Sequence, residues 1–461
     1  MKFGGSSVAE AGRIRHVADI VTSQVEKKPV LVLSAMGDTT DFLLEAGDKA
    51  YHQGIVSIEQ IEALHLDTIK KLKLSGDIKQ EINFLLKELH SLLSGISQIK
   101  ELTPRTRDYL VSFGERLSVR IAAAFLKSAG LNAAAFDAWD IGFISNSNYT
   151  SAELLPESWE QIPQKIMPLV KAGVLPVVTG FIAHNATCDI TTLGRGGSDL
   201  TATMIAASCK ADEVQVWKDV DGILTADPRI VKNAKPVEIA TYEEAAELAY
   251  FGAQVLHPRA MQPCMKTGTP VLVKNSYNPA APGTRIVSSI ENIQTGKGRQ
   301  LPKKIPVRAI TSKRTVTLVD IVSSRMLGQY GFLAEVFSIF ARHSISVDMV
   351  ATSEVSISLT LDAAQDLSSV KKELGAIASV SVKTGKAIVT IIGDVRRSSE
   401  ILARAFRSCE IIGVKVQMVS QGASKVNISF IVDDTEADET VKAIHMAFFE
   451  SLKPSSEGKK E

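Results

Sequence analysis

A chain of 461 residues with 45% hydrophobic and 22% charged residues is long enough for two or three domains and has the make-up of a globular protein. Its formal charge of +1 supplies no field to draw it to nucleic acid or anionic lipid, and no apolar run approaches the roughly 20 residues that span a bilayer. Cys188, Cys209, Cys264 and Cys409 are scattered without a C-x-x-C pair, which argues against a disulfide framework or a protein-held metal and for a reducing compartment.

The chain opens MKFGGSSV. Glycines let backbone N–H groups approach phosphate oxygens, serines add donors and Lys2 adds a cation, although the Walker spacing is absent. Such a loop normally follows a full strand, and only Met1 to Phe3 precede it here. A removed targeting segment and a short first strand are both open readings. The run KPVLVLSAM (Lys28 to Met36) reads as a buried parallel strand, as do VLPVVTGFIA (Val174 to Ala183) and DEVQVWKDV (Asp212 to Val220). Tyr51 to Lys100 is rich in Leu, Ile, Lys and Glu at helical spacing and predicts a helical insertion. RLSVRIAAAFLKSAG (Arg116 to Gly130) reads as a helix closing on glycine, with Glu115 at its start, where the helix dipole favours a carboxylate. Strands alternating with helices predict an α/β fold.

The stretch TLGRGGSD (Thr192 to Asp199) again pairs glycines with hydroxyls and a cation, just before an apolar helical pattern. A helix N-terminus behind glycines suits an anion, and Arg195 offers a fork to a carboxylate. Ser198 or Asp199 fits the N-cap; Asp199 also suits an ammonium partner. WKDVDGILTADPR (Trp217 to Arg229) is a turn-rich loop after a strand, where open α/β sheets bind ligands. His257 and Pro258 read as structural. Glu291 to Pro306 carries glycine, proline and basic residues and reads as a linker. After it VDMVATSEVSISLTL and VQMVSQGASKVNISF begin at Val347 and Val416, 69 residues apart, each preceded by a strand and a helix. That repeat predicts paired small α/β modules.

In order, KFGGSSV, FGERLS, TLGRGGSD, WKDVDGILTADPR and FGAQVLHPRA resemble the aspartate kinase family, and the C-terminal repeat resembles ACT domains. The resemblance implies an amino-acid-kinase-like, mostly parallel sheet sandwiched by helices (1–297), followed by two ACT modules of βαββαβ, ferredoxin-like form (298–386 and 387–461). The C-terminal segment is a candidate to complete the first module. It implies ATP-dependent phosphorylation of the aspartate side chain, with ATP arriving with Mg2+. Arg195 would grip a carboxylate, Glu115 and Asp199 would face the amino group, and Thr40 and Ser198 would contact substrate. Lys2 would stabilise the phosphoryl group, with Gly4, Gly5 and Ser6 around the phosphates. Lys218, Asp219, Leu224, Arg229 and Gln254 lie where the family binds ATP, although Leu224 replaces a common tyrosine and Gln254 a common lysine. Met326, Gly328, Gly331, Phe332, Leu333, Asp348, Ser353 and Glu354 would form an effector site for lysine, with S-adenosylmethionine a second candidate. ACT pairing implies a homodimer, and the compartment would be the cytoplasm or, after removal of a targeting segment, the plastid stroma. A same-fold kinase of glutamate or N-acetylglutamate and a non-catalytic ACT sensor are the alternatives.

Overall fold

The computed structural model describes residues 1–251, 256–290, 306–323, 330–362, 367–421 and 425–450. Gln254, Met326, Gly328 and almost all of the expected linker lie outside the described residues. Contacts divide the chain into two units, Met1–Ile223, Glu238–Tyr242 and Val255–Ile290 in the first, and Leu224–Val237, Glu243–Gln254 and Glu291–Glu461 in the second.

The first unit contains β1 (Lys2–Phe3), β2 (Leu31–Leu33), β3 (Ala133–Phe136), β4 (Leu175–Thr179), β5 (Ile182–His184), β6 (Ile190–Thr192), β7 (Val214–Lys218), β8 (Ile239–Thr241), β9 (Val271–Asn275) and β10 (Thr284–Val287). Its helices are α1 (Ala11–Thr22), α2 (Thr39–Gln53), α3 (Glu59–Lys71), α4 (Asp77–Ile99), α5 (Pro104–Ser128), α6 (Glu157–Lys171), α7 (Gly197–Ser208) and α9 (Pro258–Thr267); α8 (Tyr242–Tyr250) passes into the second unit after its first residue. Eight strands form one sheet in the order β3-β4-β2-β1-β7-β9-β10-β8. Every neighbouring pair is parallel except β9 with β10. β5 and β6 make a separate antiparallel hairpin.

The short β1 is central. Lys2 sits in register between Val32 and Val216, and Phe3 stacks on Trp217 with ring centroids 5.7 Å apart. β2 and β4 are wholly buried apolar runs, as strands covered on both faces require. The expected helical insertion is the end of α2 followed by α3 and α4. In α4, Ile78, Ile82, Leu85, Leu89, Leu93 and Ile96 recur at helical spacing and are buried. α5 begins earlier than Arg116. Thr103 caps it by accepting the Thr106 N–H at 3.2 Å, with Pro104 in the first turn. Glu115 therefore sits mid-helix, and a dipole argument for it fails because that effect fades within one turn.

The second unit holds β11 (Val307–Val322), β12 (Val350–Thr352), β13 (Ser356–Asp362), β14 (Ser379–Gly393), β15 (Met418–Gln421) and β16 (Asn427–Asp433), with α10 (Phe332–Arg342), α11 (Ser368–Gly375), α12 (Ser398–Ile411) and α13 (Ala437–His445). The six strands form an antiparallel sheet in the order β12-β13-β11-β14-β16-β15. The repeat is realised as strand, helix and two strands twice over. Val319, Ile321, Phe340, Leu359 and Leu374 share one core cluster, and Ile391, Ile401, Phe430, Val441 and Ile444 share another. The first half of β11 belongs to the second cluster through Val307 and Ile310. The C-terminal α13 packs in that cluster too, through Ala437, Val441 and Ile444, and contributes no residue to the first.

Candidate active site

The segments carrying the site come from different elements of the first unit. Lys2 lies on β1, Ser34 and Ala35 follow β2, Thr40 opens α2, Glu115 projects from α5, and Arg195 to Asp199 lead from β6 into α7. They line one cavity of about 680 Å³ together with Gly5, Asp108, Thr150 and Thr192. The two glycine loops thus face a common space. Gly5 is required by close approach: a Cβ there would lie 2.9 Å from the Ala35 carbonyl oxygen. Gly4 and Gly5 are half-buried and Ser6 is exposed, whereas Ser7 is buried and shares a hydrogen bond with Ser276 at 2.9 Å.

Charge in the cavity is paired but not saturated. Lys2 Nζ stands 2.7 Å from Asp199 Oδ1, and both side chains are at least nine-tenths buried. Glu115 Oε1 accepts the Ala35 N–H at 3.1 Å, while its buried Oε2 has no hydrogen-bond partner. Burial pushes the Glu115 pKa up to about 8, against the Ala35 hydrogen bond and the Lys2 charge. Ser34 Oγ donates to Ser198 Oγ at 3.0 Å. Arg195 is exposed at the cavity rim and makes no hydrogen bond or ion pair among the described residues. Burial lowers the Lys218 pKa; Asp199 and Asp219 oppose the shift and Lys2 adds to it.

The cap of α7 differs from expectation. Gly196, at φ +78°, is the N-cap, and no side chain caps the helix. Ser198 and Asp199 fall inside the first turn, which releases Asp199 to pair with Lys2. His257 is structural as read: its side chain accepts the Arg259 N–H at 3.3 Å and caps α9.

The residues expected around ATP are less concentrated. Lys218 ends β7 and Asp219 is exposed beyond it, both in the first unit. Leu224 and Arg229 fall in the second unit, where Leu224 bridges to Pro236 and the exposed Arg229 pairs with Asp227 at 2.6 Å. Among the expected effector residues, Gly331 caps α10 at φ +90°, Phe332 is buried and Leu333 exposed. Ser353 and Glu354 lie in the exposed turn between β12 and β13, with Ser353 Oγ sharing a hydrogen bond with Ser356 at 2.7 Å. Asp348 is already engaged by Lys313 Nζ at 2.6 Å and by the Tyr250 hydroxyl at 2.8 Å.

Sequence reasoning missed Asp108, Ser34, Thr150 and Thr192. A signal existed for Asp108, which precedes Glu115 by two helical turns and so shares its face.

Known proteins share this sequence and fold. The amino acid kinase family profile matches residues 1–275 and the ACT domain profile residues 319–372 and 389–448. Aspartokinase 1, chloroplastic, of Arabidopsis thaliana is 51% identical, covering 98% of this chain and 80% of its own. Lysine-sensitive aspartokinase 3 of Escherichia coli is 34% identical over 97% of this chain and 98% of its own. The structure of E. coli aspartokinase III in complex with aspartate and ADP matches with a TM-score of 0.80 at 33% identity, covering 97% of this chain and 99% of that one. The same enzyme in complex with lysine and aspartate matches with a TM-score of 0.77 at 32% identity, covering 97% and 98%. An amino-acid-kinase sheet with a two-loop cavity, followed by an ACT sheet and matched along nearly its whole length, makes this chain a member of the aspartokinase family.

Proposed function

We propose that this chain transfers the γ-phosphoryl group of ATP to the side-chain carboxylate of L-aspartate, giving 4-phospho-L-aspartate and ADP, under feedback inhibition by L-lysine. The observation that carries the reading is the single cavity lined by Lys2, Glu115, Arg195, Ser198 and Asp199. Aspartate presents one ammonium and two carboxylates, and this lining offers acids for the first and a guanidinium and hydroxyls for the second. The E. coli relative solved with aspartate and ADP, and with lysine and aspartate, supports the same substrates and effector here.

The acceptor carboxylate is ionised at neutral pH, so attack on phosphorus needs no general base. The chain's work is positioning and charge stabilisation. Arg195 holds a substrate carboxylate at the rim, while Glu115 and Asp199 take the ammonium. Lys2 then shifts from Asp199 toward the transferring phosphoryl oxygens, Gly4, Gly5 and Ser6 surround the phosphates, and Lys218 and Asp219 lie where the family binds ATP. Mg2+ enters as part of the nucleotide substrate, coordinated mainly by phosphate oxygens and water. Among the described residues no cluster of three His, Cys, Asp or Glu stands ready as a protein-made metal site. Leu224 and Arg229 remain nucleotide contacts by family resemblance.

The division at 297 and 386, lysine binding through Gly331, Ser353 and Glu354, a homodimer through the ACT modules and S-adenosylmethionine as second effector also belong to this proposal. For the compartment we propose the plastid stroma, supported by the chloroplastic relatives. No helix among the described residues is long and apolar enough to cross a membrane. An ADP-release assay with aspartate, glutamate and N-acetylglutamate, each with and without lysine, tests the reading. Aspartate should be the preferred acceptor and lysine should suppress its turnover. Equal turnover of N-acetylglutamate, which has no ammonium, would refute the roles given to Glu115 and Asp199.

A further inference from the structure

Asp108 is 1% exposed on α5, lines the cavity, and has no cationic partner among the described residues. A buried carboxylate without a counter-ion is costly unless hydrogen bonds satisfy it. Here three do. Its Oδ2 accepts the Thr150 N–H and the Thr192 N–H, both at 2.9 Å, and its Oδ1 accepts the Thr192 hydroxyl at 2.8 Å. The donors are informative. Thr192 is the last residue of β6, three positions before Arg195. Thr150 stands at φ +70°, a strained conformation for a threonine that persists only when its surroundings fix it. The Ala152 N–H donates to the Thr192 carbonyl at 2.8 Å, so the 150–152 turn and the end of β6 form one body. From its other side, Arg259 Nη2 donates to the Ala152 carbonyl at 2.6 Å and Nη1 to the Leu193 carbonyl at 3.4 Å.

We infer that Asp108 is a positioning residue for the aspartate end of the cavity, fixing the loop that carries Arg195 against the helix that carries Glu115. The carboxylate clamp and the ammonium partner sit on different elements, and their separation must match one small substrate. Asp108 shares a helix face with Glu115 and holds the residues leading to Arg195, so it sets that separation. Arg259 braces the same turn with opposite charge. This inference rests on the aspartate-kinase reading and adds the device that measures the substrate's length.

The test is steady-state kinetics on the full chain with Thr192→Val, Thr192→Ser and Asp108→Asn, alongside melting curves. Losing one charge-assisted hydrogen bond should raise the aspartate KM of Thr192→Val by about tenfold while the ATP KM stays within about twofold. Thr192→Ser, which restores the hydroxyl, should return the aspartate KM to within about threefold of wild type. Asp108→Asn, which removes the charge and replaces one of the two acceptor oxygens by an NH2 donor, should lower kcat/KM for aspartate by about 100-fold. A merely structural role would instead reduce the active fraction, lowering kcat for both substrates and leaving both KM values alone. A folded Thr192→Val with unchanged aspartate KM, or with both KM values raised together, overturns the inference even if Asp108→Asn fails to fold. A wild-type chain that phosphorylates no aspartate overturns the functional reading first, and this inference with it.

Discussion

Burial pushes the Glu115 pKa up to about 8, which favours the protonated carboxyl at neutral pH. An arriving ammonium favours the carboxylate, so binding must release a proton. The aspartate KM should therefore fall as pH rises from about 6 to 8, by as much as about tenfold per unit, and level off above that. Glu115→Gln should bind more weakly and lose this slope; a pH-independent aspartate KM in the wild type would remove Glu115 from the ammonium site. The same shift has a stability sign. The folded state holds the proton between the ordinary carboxylate range and about 8, so its contribution is full at acid pH and lost as pH rises through 8. Lys2 makes a second, separable case. It is the buried cation of the Lys2–Asp199 pair, and Lys2→Ala should lower kcat by about 1,000-fold while changing the aspartate KM by less than about fivefold. Measured turnover within a few-fold of wild type would deny Lys2 its part in phosphoryl transfer. That these residues belong to one cavity was legible in the sequence because acid, cation and glycine types are themselves the signal. Their depth was not: nothing local to FGERLS says that α5 starts at Pro104 and carries Glu115 into the interior.

Among the elements, the turn from β6 into α7 has little room for change. Gly196 stands at φ +78°, and a Cβ there would fall 2.5 Å from His257 Cβ, closer than two carbons can sit. Gly196→Ala must therefore strain the backbone and push either the Arg195 loop or the start of α9. We expect a loss of about 2–4 kcal/mol in urea unfolding and an aspartate KM raised by about tenfold or more. Full stability with unchanged kinetics would mean that this contact yields freely. Sequence reading found this turn from its glycines and found the buried strands β2, β4 and β7 from their apolar runs. It misassigned the cap to Ser198 or Asp199, since those residues are favoured caps and only the backbone reveals that glycine takes the position. The β5–β6 hairpin escaped because its strands have three residues each, too short for a period to register.

Across the whole molecule, the 69-residue repeat made the second unit legible as two copies of one module, but not the strand they share. Pairing of 307–313 with the far half of β14 is non-local and leaves no mark on neighbouring residues. That sharing raises a physical question, because the β11–β14 register breaks between Lys313 and Val316, where Thr315 adopts φ +57°. A bulge there could let the modules unfold separately. Two observations argue otherwise. Val316, Leu318 and Met349 pack in one cluster with Ile388, Met418 and Ile431, so apolar burial runs across the break. Ion pairs also straddle it: Lys313 reaches Asp348 at 2.6 Å and Asp362 at 2.8 Å in the first module, and Arg314 reaches Asp434 at 2.9 Å in the second. The unit should open as one cooperative body. Phe430, wholly buried in β16, supplies the probe. Phe430→Ala should cost about 3–5 kcal/mol, and hydrogen exchange should show amides of β13, in the other module, losing protection by the same amount as those of β16. Protection lost in β16 alone would show instead that the bulge insulates the modules, so that a ligand held by one could reorganise it without disturbing its neighbour.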